Sequence, residues 1–136
     1  MVRTFAAIDV GSFELELGIY EITEKGVVRS VDQVKHMIAL GKDTYNTGKI
    51  SYRLVEEICQ VLCDFVRIMK EYQVKEYRAY ATSAMREARN SQIVLEQLRV
   101  RTGVDVKIIS GDHAKTVSMI AKKAGLDHWE RVVDMS

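Results

Sequence analysis

Four segments of this chain place glycines and hydroxyls directly after short apolar runs: Asp9-Val10-Gly11-Ser12, Leu40-Gly41-Lys42, Ala81-Thr82-Ser83-Ala84 and Ile109-Ser110-Gly111-Asp112. Glycine lets backbone N–H groups approach an anion closely, and the hydroxyls of Ser12, Thr82 and Ser83 add donors. Arg86 supplies a planar fork matched to phosphate oxygens. The helical pattern that opens after Gly111 would present unpaired N–H groups and a positive dipole end. Together these residue types suit a phosphate or a larger polyanion. Each also has a plainer explanation. Glycines close strands in any α/β fold, Asp9 can serve as a turn residue that accepts from nearby N–H groups, and Arg86 can pair with Glu87, Asp9 or another carboxylate.

The elements that must position these residues follow from periodicity. Thr4 to Val10 reads as a buried strand. Leu15 to Ile22 alternates, with Leu15, Leu17 and Ile19 on one side and Glu16, Gly18 and Tyr20 on the other. A turn at Glu24-Lys25-Gly26 leads to a third strand within Val27 to Leu40, so the three form consecutive antiparallel hairpins. The polar stretch from Gly41 to Ser51 reads as a loop. Ser51 can cap a long helix whose apolar face carries Leu54, Val55, Ile58, Val61, Leu62, Phe65, Ile68 and Met69. Tyr77 to Ala81 is a strand, and Thr82 to Ala88 a turn or short helix. Asn90 can cap a helix that runs to about Arg101 and stops at Gly103. Val104 to Ile109 is a strand, and a last helix ends near Gly125. The order is βββαβαβα, which implies an α/β fold with a mixed five-stranded sheet, an antiparallel hairpin edge and flanking helices. In open α/β sheets ligands bind beyond the carboxyl ends of the strands, where the four polar segments would converge.

Composition limits the partners. The 136 residues are 47% hydrophobic and 29% charged, the balance of a folded domain. Twenty basic against nineteen acidic residues leave a formal charge of +1, so no global basic field draws DNA, RNA or an anionic membrane. No apolar run approaches the roughly 20 residues needed to span a bilayer, and the N-terminus lacks a secretory pattern. Cys59 and Cys63 cannot form a disulfide framework; four apart on the apolar helix, they are expected to share a face and pack in the core. A cytoplasmic location is expected.

The motifs carry a resemblance. AAIDVGS at 6–12, LGKDTYNTGKIS at 40–51, ATSAMREARN at 81–90 and TGVDVKIISG at 102–111 resemble, in order and over nearly the whole chain, the Ppx/GppA phosphatases. These are the exopolyphosphatases and guanosine pentaphosphate phosphohydrolases of the actin-like ATPase superfamily. The resemblance implies a ribonuclease-H-like N-terminal domain over 1–125. Residues 126–136, ending in VVDMS, would be a linker and the truncated start of a second domain. It further implies Mg²⁺-assisted phosphoanhydride hydrolysis of polyphosphate or guanosine penta/tetraphosphate in an interdomain cleft. Phosphate binding would fall to Gly11, Ser12, Thr82, Ser83, Arg86 and Gly111, with Asp9 holding Mg²⁺ through water. An apolar face left for the second domain could also support a homodimer.

The departures are specific. Where the family pattern reads DxGSNS, this chain has Phe13-Glu14, and Ala39 precedes Leu40-Gly41 in place of an arginine. The family's catalytic glutamates align with His113 and Ala114; His113 and the neighbouring Asp112 are the candidate substitutes. A catalytically degenerate member that only binds, as a sensor or scaffold, is therefore the rival expectation. The ATSAMREARN stretch argues against a third, an actin-like ATPase or sugar-kinase domain.

Overall fold

The computed structural model describes residues 2–109. Nine elements follow one another: β1 (Arg3–Val10), β2 (Glu14–Ile22), β3 (Val28–Met37), α1 (Leu40–Thr47), α2 (Tyr52–Glu71), β4 (Glu76–Ala81), α3 (Ser83–Glu87), α4 (Ser91–Thr102) and β5 (Val106–Ile108). The strands form one sheet in the order β3-β2-β1-β4-β5. β1 pairs antiparallel with β2, and β2 with β3. β1 and β4 are parallel, as are β4 and β5. The mixed sheet with its hairpin edge is the one expected. The last helix of the expected order, with Gly111, Asp112 and His113, lies outside the described residues.

The main core forms where β1 and β2 turn Ala6, Ile8, Val10, Leu15, Leu17 and Ile19 toward the helices. α2 meets them with Leu54, Val55, Ile58, Leu62 and Phe65, and α4 with Val94 and Leu98. α2 starts as its sequence suggests, since the Ser51 hydroxyl accepts from the Leu54 N–H at 3.3 Å. α4 ends at Gly103, whose positive φ of 79° closes the helix in the left-handed region. The opposite sheet face carries a smaller cluster of Phe5, Ala7, Tyr20 and Ile22. Tyr20 lies across Gly18: a side chain at Gly18 would meet the Tyr20 ring at 2.6 Å.

Three expectations are corrected. Residues 41–51 are not simply a loop, because Leu40–Thr47 form α1. Its stabilising bonds are long-range or terminal and leave little periodicity to read. The Gly41 N–H donates to the Ser12 carbonyl at 2.7 Å, and Gly48, at φ 77°, returns its N–H to Thr44 at 2.7 Å. Asn90 stands at the start of α4 but makes no side-chain cap; its amide instead donates to the Ile50 carbonyl at 2.9 Å and accepts from the Ile50 N–H at 3.0 Å. Cys59 is buried while Cys63 is exposed, so the two do not share the core.

Candidate site at the strand tips

Because β1, β4 and β5 are parallel, their carboxyl ends emerge at one edge of the sheet. β3 runs antiparallel to β2 and so ends at that edge too. The turn after β1 is tight. The Gly11 N–H donates to the Glu14 carbonyl at 3.0 Å, and a side chain at Gly11 would meet that carbonyl at 2.9 Å. The segment after β3 joins it, with the Ile38 N–H donating to the Phe13 carbonyl at 3.0 Å. The segment after β4 joins through the Thr82 N–H, which donates to the Val10 carbonyl at 3.3 Å.

The hydroxyls meet above this junction. Ser12 Oγ and Ser83 Oγ are 3.4 Å apart, and Ser83 Oγ lies 3.0 Å from the Tyr45 hydroxyl. Gly41 is the floor of the group. A side chain there would find Ser12 Cβ at 3.1 Å and the rings of Phe13 and Tyr45 each at 3.2 Å. Arg86, exposed on α3, donates to the carbonyl of Ile109 at 3.1 Å, at the tip of β5. It therefore bonds a backbone carbonyl where a pair with Asp9 or Glu87 was the alternative. Gly11, Ser12, Thr82 and Ser83 are thus brought together, with Arg86 at the β5 tip of the same edge. Gly111, Asp112 and His113 lie outside the described residues.

The second half of the ATSAMREARN stretch has a different task. Arg89 donates from its guanidinium to the Thr47 carbonyl at 3.2 Å and from its N–H to the Gly48 carbonyl at 2.8 Å. With the Asn90 clamp on Ile50, this ties the end of α1 to the α3–α4 junction. The motif therefore holds α1, and with it Gly41 and Tyr45, against the strand tips.

Asp9 faces the other side of the sheet. It stands directly opposite Glu16 on β2 and beside Tyr80 on β4, while Glu16 is itself opposite Lys35 on β3. The Asp9 Oδ1 atom is buried without a hydrogen-bond partner. Burial, then the negative charges of Glu16 and Glu14, push the Asp9 carboxyl from 3.8 up to about 7. Glu16, only 8% exposed, is also raised, by burial and by Glu14, against the opposing pull of Lys35. Among the described residues no group of three or more His, Cys, Asp or Glu side chains could hold a metal directly. An unpartnered buried carboxyl oxygen such as Asp9 Oδ1 could accept from the water shell of an ion like Mg²⁺, which keeps several waters.

Residues 18–135 match the model of the Ppx/GppA phosphatase family. The chain belongs to that family. Exopolyphosphatase 1 of Mycobacterium tuberculosis is 29% identical over 114 residues, covering 84% of this chain and 33% of that protein. The Mycobacterium leprae protein of the same name is also 29% identical, over 84% of this chain and 34% of its own length. Among solved structures, the Aquifex aeolicus Ppx/GppA family member superposes with a TM-score of 0.76 at 29% identity, covering 80% of this chain and 35% of that one. An exopolyphosphatase from Cytophaga hutchinsonii gives 0.73 at 25% identity, with 79% and 34% covered. The chain spans about a third of the length of the curated relatives it matches. The family and its actin-like ATPase fold are those expected from the motifs. No helix among the described residues is long and apolar enough to cross a membrane.

Phe13 and Tyr45 border the hydroxyl group, a placement the sequence alone does not indicate. Phe13 departs from the family pattern, and Tyr45 lies in a polar stretch whose sequence reads as a loop but which forms α1. The spacing of Gly41 and Tyr45, four apart as on one helix face, was the available signal.

Proposed function

We propose that this chain forms the phosphate-binding wall of a phosphoanhydride hydrolase acting on polyphosphate or a guanosine polyphosphate, with a second domain closing the cleft. The observation that supports it is the meeting of Gly11-Ser12, Gly41 and Thr82-Ser83 at one sheet edge, with the Ser83 hydroxyl in contact with those of Ser12 and Tyr45. Backbone N–H groups and hydroxyls would hold phosphate oxygens there, and Arg86 would turn its guanidinium from the Ile109 carbonyl to the ligand. Asp9 would hold a hydrated Mg²⁺, which would supply charge neutralisation on the phosphoryl oxygens. Asp112 or His113 would position or deprotonate the attacking water. Residues 1–125 would constitute the domain, and 126–136 the passage to its partner.

The binding-only reading is favoured by one feature. Phe13-Glu14 puts a ring and a carboxylate beside the turn, and the Glu14 charge, after burial and Glu16, helps raise the Asp9 carboxyl above its ordinary range. Phosphate release from polyphosphate and pppGpp with Mg²⁺, beside calorimetry on the same protein carrying its second domain, separates the two. Turnover supports the hydrolase, and binding without turnover supports the sensor. Residues 1–136 alone are expected to release no phosphate; robust turnover by them would end the two-wall proposal.

A further inference from the structure

Phe13 is 58% exposed and Tyr45 53% exposed, and both rings border Gly41. The Phe13 backbone is tied by the Ile38 N–H, and the Tyr45 hydroxyl by Ser83. Gly41 is buried and leaves the space that both rings border. A phenylalanine at a turn beside an anion-holding group gains nothing from phosphate, because it has no polar atom to offer. What it offers is an apolar face next to hydroxyls. Tyr72, also exposed, donates its hydroxyl to Asp32 at 2.7 Å, and Tyr52 interacts with Glu56 on α2; neither borders the hydroxyl group.

We propose that Phe13 and Tyr45 form a ledge on which the base of a nucleoside polyphosphate stacks while its phosphates reach Gly11, Ser12 and Ser83. This rests on the anion-binding reading above and narrows it from inorganic chains to base-bearing ones. A linear polyphosphate has no ring to lay on the ledge. A base does, and every base has a π face, so the ledge selects for the presence of a base rather than for its identity. Because the Tyr45 hydroxyl is already held by Ser83, little freedom of that side chain is lost on binding.

The test uses GTP and inorganic tripolyphosphate as probes, titrated into the 136-residue chain and followed by amide and aromatic NMR. Both probes should shift the amides of Gly11, Ser12 and Ser83. Only GTP should shift the ring protons of Phe13 and Tyr45, and it should bind roughly tenfold more tightly, the size of one base–aromatic stack. Phe13→Ala and Phe13→Leu should each remove most of that preference, and a dispersed amide spectrum establishes that they fold. Tyr45→Phe keeps the ring and should keep the preference. Equal affinity of the unaltered chain for both probes, or a Phe13→Ala loss equal for both, would overturn the ledge and leave the anion site standing. Failure of both probes to bind would overturn the anion reading and the ledge with it.

Discussion

The two faces of β1 and β2 are built from alternate residues of the same strands, and they differ in kind. On the helix-covered face Ile8, Val10, Leu15, Leu17 and Ile19 are all buried in the main core. On the other face, one residue away each time, stand Asp9, Glu16, Gly18 and Tyr20, with an unpartnered Asp9 oxygen. Buried polar atoms left unpaired cost free energy, and like charges directly opposite on a sheet repel. The first face accounts for why the chain folds. The second departs from that logic at Asp9 and Glu16, at the strand ends nearest the candidate site, which is where local rules are expected to yield to function.

Leu17→Ala should be the largest effect. Leu17 is fully buried among helix-facing side chains, so truncation loses transfer energy and leaves a cavity, at a cost of about 3 kcal/mol. Urea denaturation measures it. A loss under about 1 kcal/mol would mean that the helix-covered face is not the principal source of stability.

Gly18→Ala tests the neighbouring residue on the opposite face. The new methyl would stand 2.6 Å from the Tyr20 ring, so the ring must swing away from a site where it is 2% exposed. We expect a cost of about 1–2 kcal/mol, as for overpacking in general, with a change in tyrosine fluorescence. Neutral stability with an unchanged spectrum would show this face to be loosely packed and the contrast between faces to be overdrawn.

Much of this contrast could be read from the sequence. The period of two in Leu15 to Ile22 assigned Leu17 and Glu16 to opposite sides, and the 3.6 period placed α2. The sequence did not reveal that Glu16, Gly18 and Tyr20 are buried too, because alternation with polar residues is the usual mark of a solvent face. Nor did it reveal α1. Leu40 to Thr47 has few apolar residues, and the bonds that hold it come from Ser12, Arg89 and the Asp43 carboxylate, which accepts from the Ser51 N–H at 3.1 Å. Helices held by tertiary contacts leave a weak periodic trace. The convergence of Ser12 with Ser83 followed from parallel strand ends, whereas the inclusion of Phe13 and Tyr45 required α1 to be in place.

Asp9→Asn gives the smallest change and the most diagnostic one, because it depends on pH. The Asp9 carboxyl is raised from 3.8 to about 7, by burial first and then by Glu16 and Glu14. A raised acid binds its proton more tightly in the folded state than in the unfolded one, so its stability contribution is complete below about pH 4. It is lost as pH rises toward 7, and stability is level above that. The full shift would correspond to about 4 kcal/mol, which partial solvent access and local relaxation reduce to roughly 1 kcal/mol. Asparagine keeps the shape and removes the titration. The variant should match the parent near pH 4 and exceed it by about 1 kcal/mol at pH 8, read from paired urea curves in metal-free buffer. Adding Mg²⁺ should narrow that gap at pH 8, because a cation near Asp9 compensates the charge that Glu16 and Glu14 oppose. A parent whose stability, relative to Asp9→Asn, is flat from pH 4 to 8 would show the carboxyl to be ordinary. The acidic face would then be a solvated surface, and the case for a hydrated cation at Asp9 would lose its physical basis.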